Sequence, residues 1–252
     1  MTLRLLLLAG TSDARAVAEG LATRAGLSAI ASLAGATRAP GDLPIPSRTG
    51  GFGGDDAFAD WLRAHGIGAV IDATHPFAHR ISSRTARICA ALDLPHLHLL
   101  RPPWRPGPGD IWHEVADEAA AASLIPPGST VFLATGRQTL DRFAGLRDCR
   151  VICRQIDPPD GPFPFPGGEF LVGRPPFSEN DEAALFRRLA VDWLVVKNAG
   201  GMASRTKLDA ARRLGLPVAV IARPSQPECL TVPDATSALL WVDKLLERAG
   251  RS

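Results

Sequence analysis

Two nonamers, LPHLHLLRP (residues 94–102) and LPVAVIARP (residues 216–224), stand close to half a chain apart, and each follows a helically spaced stretch carrying Ser-Arg-Thr. The opening recurs too. LLAGTSDA…EGL (residues 7–21) is echoed by FLATGRQT…AGL (residues 132–146), and EVADEA around Val115 by TVPDAT around Val232. Four echoes in one consistent order predict two similarly wound halves, which restricts the fold far more than length does.

Each half alternates strands with helices. Residues 5–8 read as a first strand, and Ala14, Val17, Ala18, Leu21 and Ala25 then fall at helical spacing with Ser12 or Asp13 as N-cap. Residues 27–33 read as a strand. Phe58, Trp61 and Leu62 mark a short helix, residues 68–73 a strand, and Phe77, Ile81, Ile88 and Leu92 another helix, with Pro76 in its first turn. Further on, residues 131–134, 151–154, 193–196 and 218–222 read as strands, with helices after the N-caps Ser178, Ser204 and Asp234. The expected fold class is α/β: two Rossmann-like, doubly wound parallel-sheet domains with a cleft between them. Two prolines and a glycine in LIPPGST (residues 124–130) place the seam, giving domains 1–126 and 127–252. The proline-rich DPPDGPFPFPGG (residues 157–168) reads as a surface loop near the cleft.

Composition removes several function classes. With a net charge of +2 over 252 residues and no basic run interleaved with aromatics, a dedicated nucleic-acid binder is not expected. The apolar run at residues 5–8 is shorter than the ~7–15 residues of a secretory core, and no stretch approaches the ~20 of a membrane span. The expectation is a soluble cytoplasmic protein. Cys89, Cys149, Cys153 and Cys229 show no metal-ligand spacing and read as reduced thiols, so no metal is expected.

In doubly wound sheets ligands sit beyond the carboxyl ends of the strands, where strand order reverses. At the first such end, Gly10 allows a tight turn, and the amides of Ser12, Asp13 and Ala14 would point at an anion at the helix N-terminus, beside the small hydroxyls of Thr11 and Ser12 and ahead of Arg15. The same residues also read as an ordinary capped connection. SLAGATR (residues 32–38) carries no acid for a ribose 2′-hydroxyl; Ser32, Thr37 and Arg38 instead suit a 2′-phosphate, which favours NADPH over NADH. Gly53 lies in the glycine-rich TGGFGG. Thr74 and His75 of DATHPFA end another strand, whereas His96 and His98 read as packed strand residues. In the second half Thr135, Gly136 and Arg137 form one strand-end turn and Lys197, Asn198, Gly200 and Gly201 another. Lys197 would bring a positive charge to the cleft, flanked by Arg101 and Arg223.

Taken together, AGTSDAR, GGFGG, DATHPFA, RPPW, ATGRQ, GRPPF and KNAGG…K…AA…LGLPV…RP resemble the precorrin-6A reductase family of cobalamin biosynthesis along nearly the whole chain. The resemblance leads one to expect Glu more often where Asp13 stands, a departure that bears on that residue's own contact and not on the turn. The resemblance implies a two-domain Rossmann-like enzyme that uses NADPH to reduce one double bond of a polycarboxylate tetrapyrrole, giving precorrin-6B. It also implies transfer of the intermediate to neighbouring pathway enzymes, with no nucleic-acid or membrane partner. The NADPH site is expected in domain 1–126, from Gly10, Thr11, Ser12, Asp13, Arg15, Ser32, Arg38, Gly53, Thr74 and His75. The substrate site is expected mainly in domain 127–252, from Thr135, Gly136, Arg137, Lys197, Asn198, Gly200, Gly201 and Arg223, together with Arg101. His75, Lys197 or a water would supply the proton.

Other readings fare less well. A short-chain dehydrogenase needs a catalytic tyrosine, and the chain has none. The alternatives are a reductase of the cobalt-bearing substrate and a non-enzymatic two-lobed ligand-binding protein.

Overall fold

The computed structural model describes residues 2–35, 42–202 and 204–250. Strand β1 (Leu3–Leu8) opens the chain and buries Leu5 to Leu8 completely or nearly so, because it has a parallel neighbour on each edge and helices over both faces. Helix α1 (Ser12–Ala22) turns Ala14, Val17, Ala18 and Leu21 inward, the stripe its spacing predicts. Then come β2 (Leu27–Leu33), β3 (Ser47–Thr49), α2 (Asp55–Ala64), β4 (Ala69–Asp72), α3 (His79–Ala91) and β5 (His96–Leu99). The chain passes on through β6 (Ile111–Val115), α4 (Glu118–Leu124), β7 (Thr130–Leu133), a 3-10 helical stretch (Arg137–Leu146), β8 (Arg150–Gln155), β9 (Gly168–Val172), α5 (Glu179–Leu189), β10 (Trp193–Lys197), α6 (Thr206–Leu214) and β11 (Pro217–Ile221). It ends with β12 (Thr231–Val232) and α7 (Ala235–Ala249).

These elements form two compact units, Met1–Arg101 with Pro224–Ser252, and Pro102–Arg223. Their sheets run β12-β5-β4-β1-β2-β3 and β6-β11-β10-β7-β8-β9, both all-parallel. Each is the doubly wound order in which the first strand sits at the reversal point. The sixth position is the informative one. In the first unit it is filled by β12, from beyond the second unit in sequence; in the second it is filled by β6, which precedes the unit's own first strand β7.

The EVADEA and TVPDAT echoes are these two exchanged pieces. Each ends a strand, and Asp117 and Asp234 then cap α4 and α7 through the Ala120 and Ser237 amides. The duplication expected from the sequence is therefore present, but the expected seam at residues 126 and 127 falls between α4 and β7, inside the second unit. The Pro/Gly turn there is only a helix-to-strand connection. Unit membership is decided by the β6 to β11 ladder, Ile111 on Pro217 through Val115 on Ile221.

Local differences have local causes. Thr11, rather than Ser12 or Asp13, caps α1. α6 starts at Thr206 behind Arg205, which makes no side-chain cap, so Ser204 is not its N-cap. Pro76 lies in a turn ahead of α3, which starts at His79. Strands β3, β6, β9 and β12 escape sequence reading because they carry little buried apolar surface. In the first unit, Leu5 and Leu7 pack with α1 and α7 on one face, and Leu6 and Leu8 pack with Phe58, Leu62 and Ile88 on the other. In the second, Phe132, Ile152, Phe186, Leu194 and Val220 share one core.

Candidate functional site

The carboxyl edge of each sheet gathers most of the singled-out residues. In the first unit Gly10 has φ of 132°, a value that glycine tolerates and other residues rarely adopt, and the space where a Cβ would stand is open. Thr11 Oγ1 accepts from the Ala14 amide (3.0 Å) and donates to the Ala73 carbonyl (2.8 Å), tying the ends of β1 and β4 together where the strand order reverses. The Ser12 and Asp13 amides stand in the first turn of α1, where backbone N–H groups have no acceptor within the helix. A phosphate there would be repelled by the Asp13 carboxylate, but Arg101 holds that carboxylate at 2.7 Å and cancels its charge. Arg101 was expected on the substrate side; it is joined instead to a residue expected on the cofactor side.

At the last residue of β4 the Asp72 carboxylate is fully buried, with one oxygen accepting from the Thr74 amide (3.0 Å) and hydroxyl (2.7 Å). The Phe77 amide donates to His75 Nδ1 (3.2 Å), which leaves the proton of a neutral imidazole on Nε2. Ser32, at the end of β2, accepts from Arg48 (2.7 Å), a β3 residue that sequence reading missed. Arg48 also donates to the Gly50 and Gly51 carbonyls and lies 4.2 Å over the Phe52 ring. Arg15 bonds the Asp42 carbonyl, and the Gly53 carbonyl accepts from Arg84. Arg38 lies outside the described residues.

In the second unit Lys197 ends β10 with its amine 3.4 Å from the Glu118 carboxylate and 3.1 Å from the Thr139 hydroxyl. Burial lowers the lysine pKa and Glu118 opposes the drop. Burial likewise works against the Glu118 charge, but hydrogen bonding with Thr139, an amide at the start of α4 and Lys197 outweigh it and hold its pKa below the ordinary value. Lys197 therefore does not present the uncompensated charge that its sequence position suggests. It forms a desolvated lysine–carboxylate pair able to hold or release a proton. Glu118 was missed because α4 reads as a plain alanine-rich helix.

The remaining residues of this edge hold one another. Asn198 accepts from the Trp104 amide (2.8 Å) and donates to its carbonyl (3.1 Å), while Trp104 Nε1 donates to the Gly201 carbonyl (2.7 Å). Arg223 donates to the Asn198 and Ala199 carbonyls (2.7 and 2.9 Å). Gly200 was expected to admit a ligand, but the space beside it is taken by the Pro102 carbonyl and the Arg223 guanidinium. Thr135 and Gly136 lead out of β7 into Arg137, which pairs with Asp160 (2.8 Å) and so ties the proline-rich loop to this turn.

A doubly wound parallel sheet with a glycine–hydroxyl turn at its reversal point, repeated in a second unit with a desolvated lysine pair at the matching edge, defines a Rossmann-type α/β protein with anion-suited strand ends. A family model described as precorrin-6x reductase CbiJ/CobK matches residues 4–243. The chain is 46% identical over 248 residues to a precorrin-6A reductase of Rhodococcus erythropolis, covering 97% of this chain and 99% of that one. It is 42% identical to a precorrin-6A reductase of Rhodobacter capsulatus, over 89% of each chain. A cobalt-precorrin-6A reductase of Priestia megaterium is 28% identical, over 87% of this chain and 90% of that one. A solved structure titled CobK precorrin-6A reductase superposes with a TM-score of 0.92 at 39% identity, covering 97% of both chains. The chain belongs to the precorrin-6x reductase CbiJ/CobK family, oxidoreductases of cobalamin biosynthesis.

Proposed function

We propose that the chain reduces metal-free precorrin-6A to precorrin-6B in the cytoplasm with NADPH as reductant, the first unit taking the cofactor and the second most of the substrate. Relatives named for the metal-free substrate are 39–46% identical, against 28% for those named for the cobalt form. No helix among the described residues is long and apolar enough to cross a membrane.

The observation that carries the cofactor reading is the Ser32–Arg48 pair at the end of β2. An NAD site normally has an acid there to bind the ribose 2′-hydroxyl; here a hydroxyl and a guanidinium stand in its place, chemistry that fits a 2′-phosphate. Gly10 and the Ser12 and Asp13 amides would hold the pyrophosphate, with Arg101 neutralising Asp13. When bound, the cofactor supplies hydride. The protein's own tasks are to seat an acidic macrocycle and deliver one proton. His75, when its ring carries both protons, and Lys197, sharing its charge with Glu118, are the residues suited to the second task.

Anaerobic incubation of the purified protein with precorrin-6A and NADPH, following the visible spectrum, tests the reading. A change in the tetrapyrrole bands matched by NADPH oxidation is expected; no change with this substrate but turnover of its cobalt form would reassign the substrate. The cofactor assignment has a separate test by calorimetry. Arg48→Met and, in a separate variant, Arg38→Ala should each weaken NADP+ binding by about 2 kcal/mol, roughly 30-fold, and leave NAD+ binding nearly unchanged. Equal loss of both nucleotides would make Arg48 a scaffold of the β3 turn instead.

A further inference from the structure

Lysine is scarce in this chain, three residues against 25 arginines, and two of the three stand at the carboxyl edge of the second unit's sheet. Lys197 has Glu118. Lys207, in the first turn of α6, donates to the Ser204 carbonyl and lies 5.8 Å from the ring of Trp104, and among the described residues it forms no ion pair with a carboxylate. The acid whose charge reaches it is Glu182, and both Glu182 oxygens are already engaged by Arg154, at 2.8 Å each. Arg154 and Glu182 are themselves buried, with side chains 9% and 1% exposed.

Two cations thus share one carboxylate in a place largely withdrawn from water. The N-terminal end of α6 adds further positive potential. An excess positive charge in such a position is unfavourable until an anion arrives. All of its parts lie at the strand ends: Arg154 is the penultimate residue of β8, and Trp104 is pinned to the turn after β10.

We propose that Lys207, backed by Arg154, receives a carboxylate arm of the substrate, with the Trp104 ring beside that contact. This rests on the substrate reading given above and adds to it a residue with no other assigned task. The residue type fits the task. Burial, then Arg154, pull the Lys207 pKa down to about 8 against the opposing pull of Glu182, so the amine loses charge easily on its own and regains it beside a carboxylate. Arginine cannot do this.

With three lysines in the chain, competitive acetylation read by mass spectrometry resolves each amine separately. Lys207 should titrate near 8, and precorrin-6A under anaerobic conditions should protect it while leaving Lys244 unprotected. Lys207→Met should weaken precorrin-6A binding about 30-fold or more, raise KM with little change in kcat, and leave NADP+ affinity as in the wild type. Lys207→Arg should recover most of the lost affinity. Binding by the wild type should also weaken as pH rises through the lysine's titration, a limb the Met variant lacks.

Lys207 acetylated equally with and without substrate, or a Lys207→Met protein that binds precorrin-6A as tightly as the wild type, would overturn the inference alone. A wild-type protein that does not bind precorrin-6A would overturn the substrate reading together with it. The labelling arm uses only the native chain, so it stands even where the Met variant folds poorly.

Discussion

Gly200→Ala should destabilise the protein by about 3–4 kcal/mol and lower its thermal midpoint by roughly 10 °C. Its φ of 69° already disfavours any side chain, at about 1–2 kcal/mol. The added Cβ would stand 2.1 Å from the Pro102 carbonyl oxygen and 2.4 Å from an Arg223 nitrogen. Neither neighbour yields easily. The first is backbone, in the segment whose Trp104 is clamped by Asn198, and the second is fixed on the Asn198 and Ala199 carbonyls. Gly20→Ala is the contrasting case, because its Cβ would meet only the Leu239 side chain, at 2.3 and 2.8 Å from the two methyls and 3.1 Å from Cγ, and that side chain can shift where backbone cannot. Alanine also gains about 1 kcal/mol of helix propensity there, so calorimetry should show little change. A Gly200→Ala protein as stable as the Gly20→Ala protein would mean that the loop after β10 is soft and that its glycines serve a ligand instead.

This contrast shows where sequence reading stops. The α/β class, the duplication and strand β2 at Leu27–Leu33 were legible because buried parallel strands and amphipathic helices write their periods into contiguous residues. What was hidden depends on residues far apart in the chain. Thr11, Ser12 and Asp13 are all competent N-caps, and the choice of Thr11 comes with its bond to Ala73 on β4. Asn198 and Gly200 look like ligand-binding residues until Trp104 and Pro102 are found against them. Arg48 and Glu118 carry no local signal, and their meaning comes from Ser32 and Lys197. The exchange of β6 and β12 was in plain view as the fourth echo, but a repeat in sequence order does not say which sheet each strand joins.

Glu182→Gln should cost about 3–5 kcal/mol in denaturant unfolding, the range for breaking a buried ion pair by removing one partner. Arg154 is held bidentately by Glu182 and lies between the Phe132 ring at 5.2 Å and the Phe177 ring at 4.3 Å. Its guanidinium cannot shed its proton, so removing the carboxylate charge leaves it buried beside Lys207 without the one acid that pairs with it among the described residues. Lys207 can respond, and its pKa should fall further once the raising effect of Glu182 is gone. The double substitution Arg154→Met with Glu182→Leu behaves differently. It replaces the pair with apolar volume and should be close to neutral, or more stable than the wild type, because two charges no longer have to be desolvated. It keeps the single excess positive charge on Lys207 but removes the Arg154 guanidinium as a second donor, so tetrapyrrole binding should weaken by that contact alone. Stability and binding moving apart in that protein would show that the buried pair is kept for the anion it helps to receive. A double variant as unstable as Glu182→Gln would show that the pair is kept because it holds α5 against the sheet.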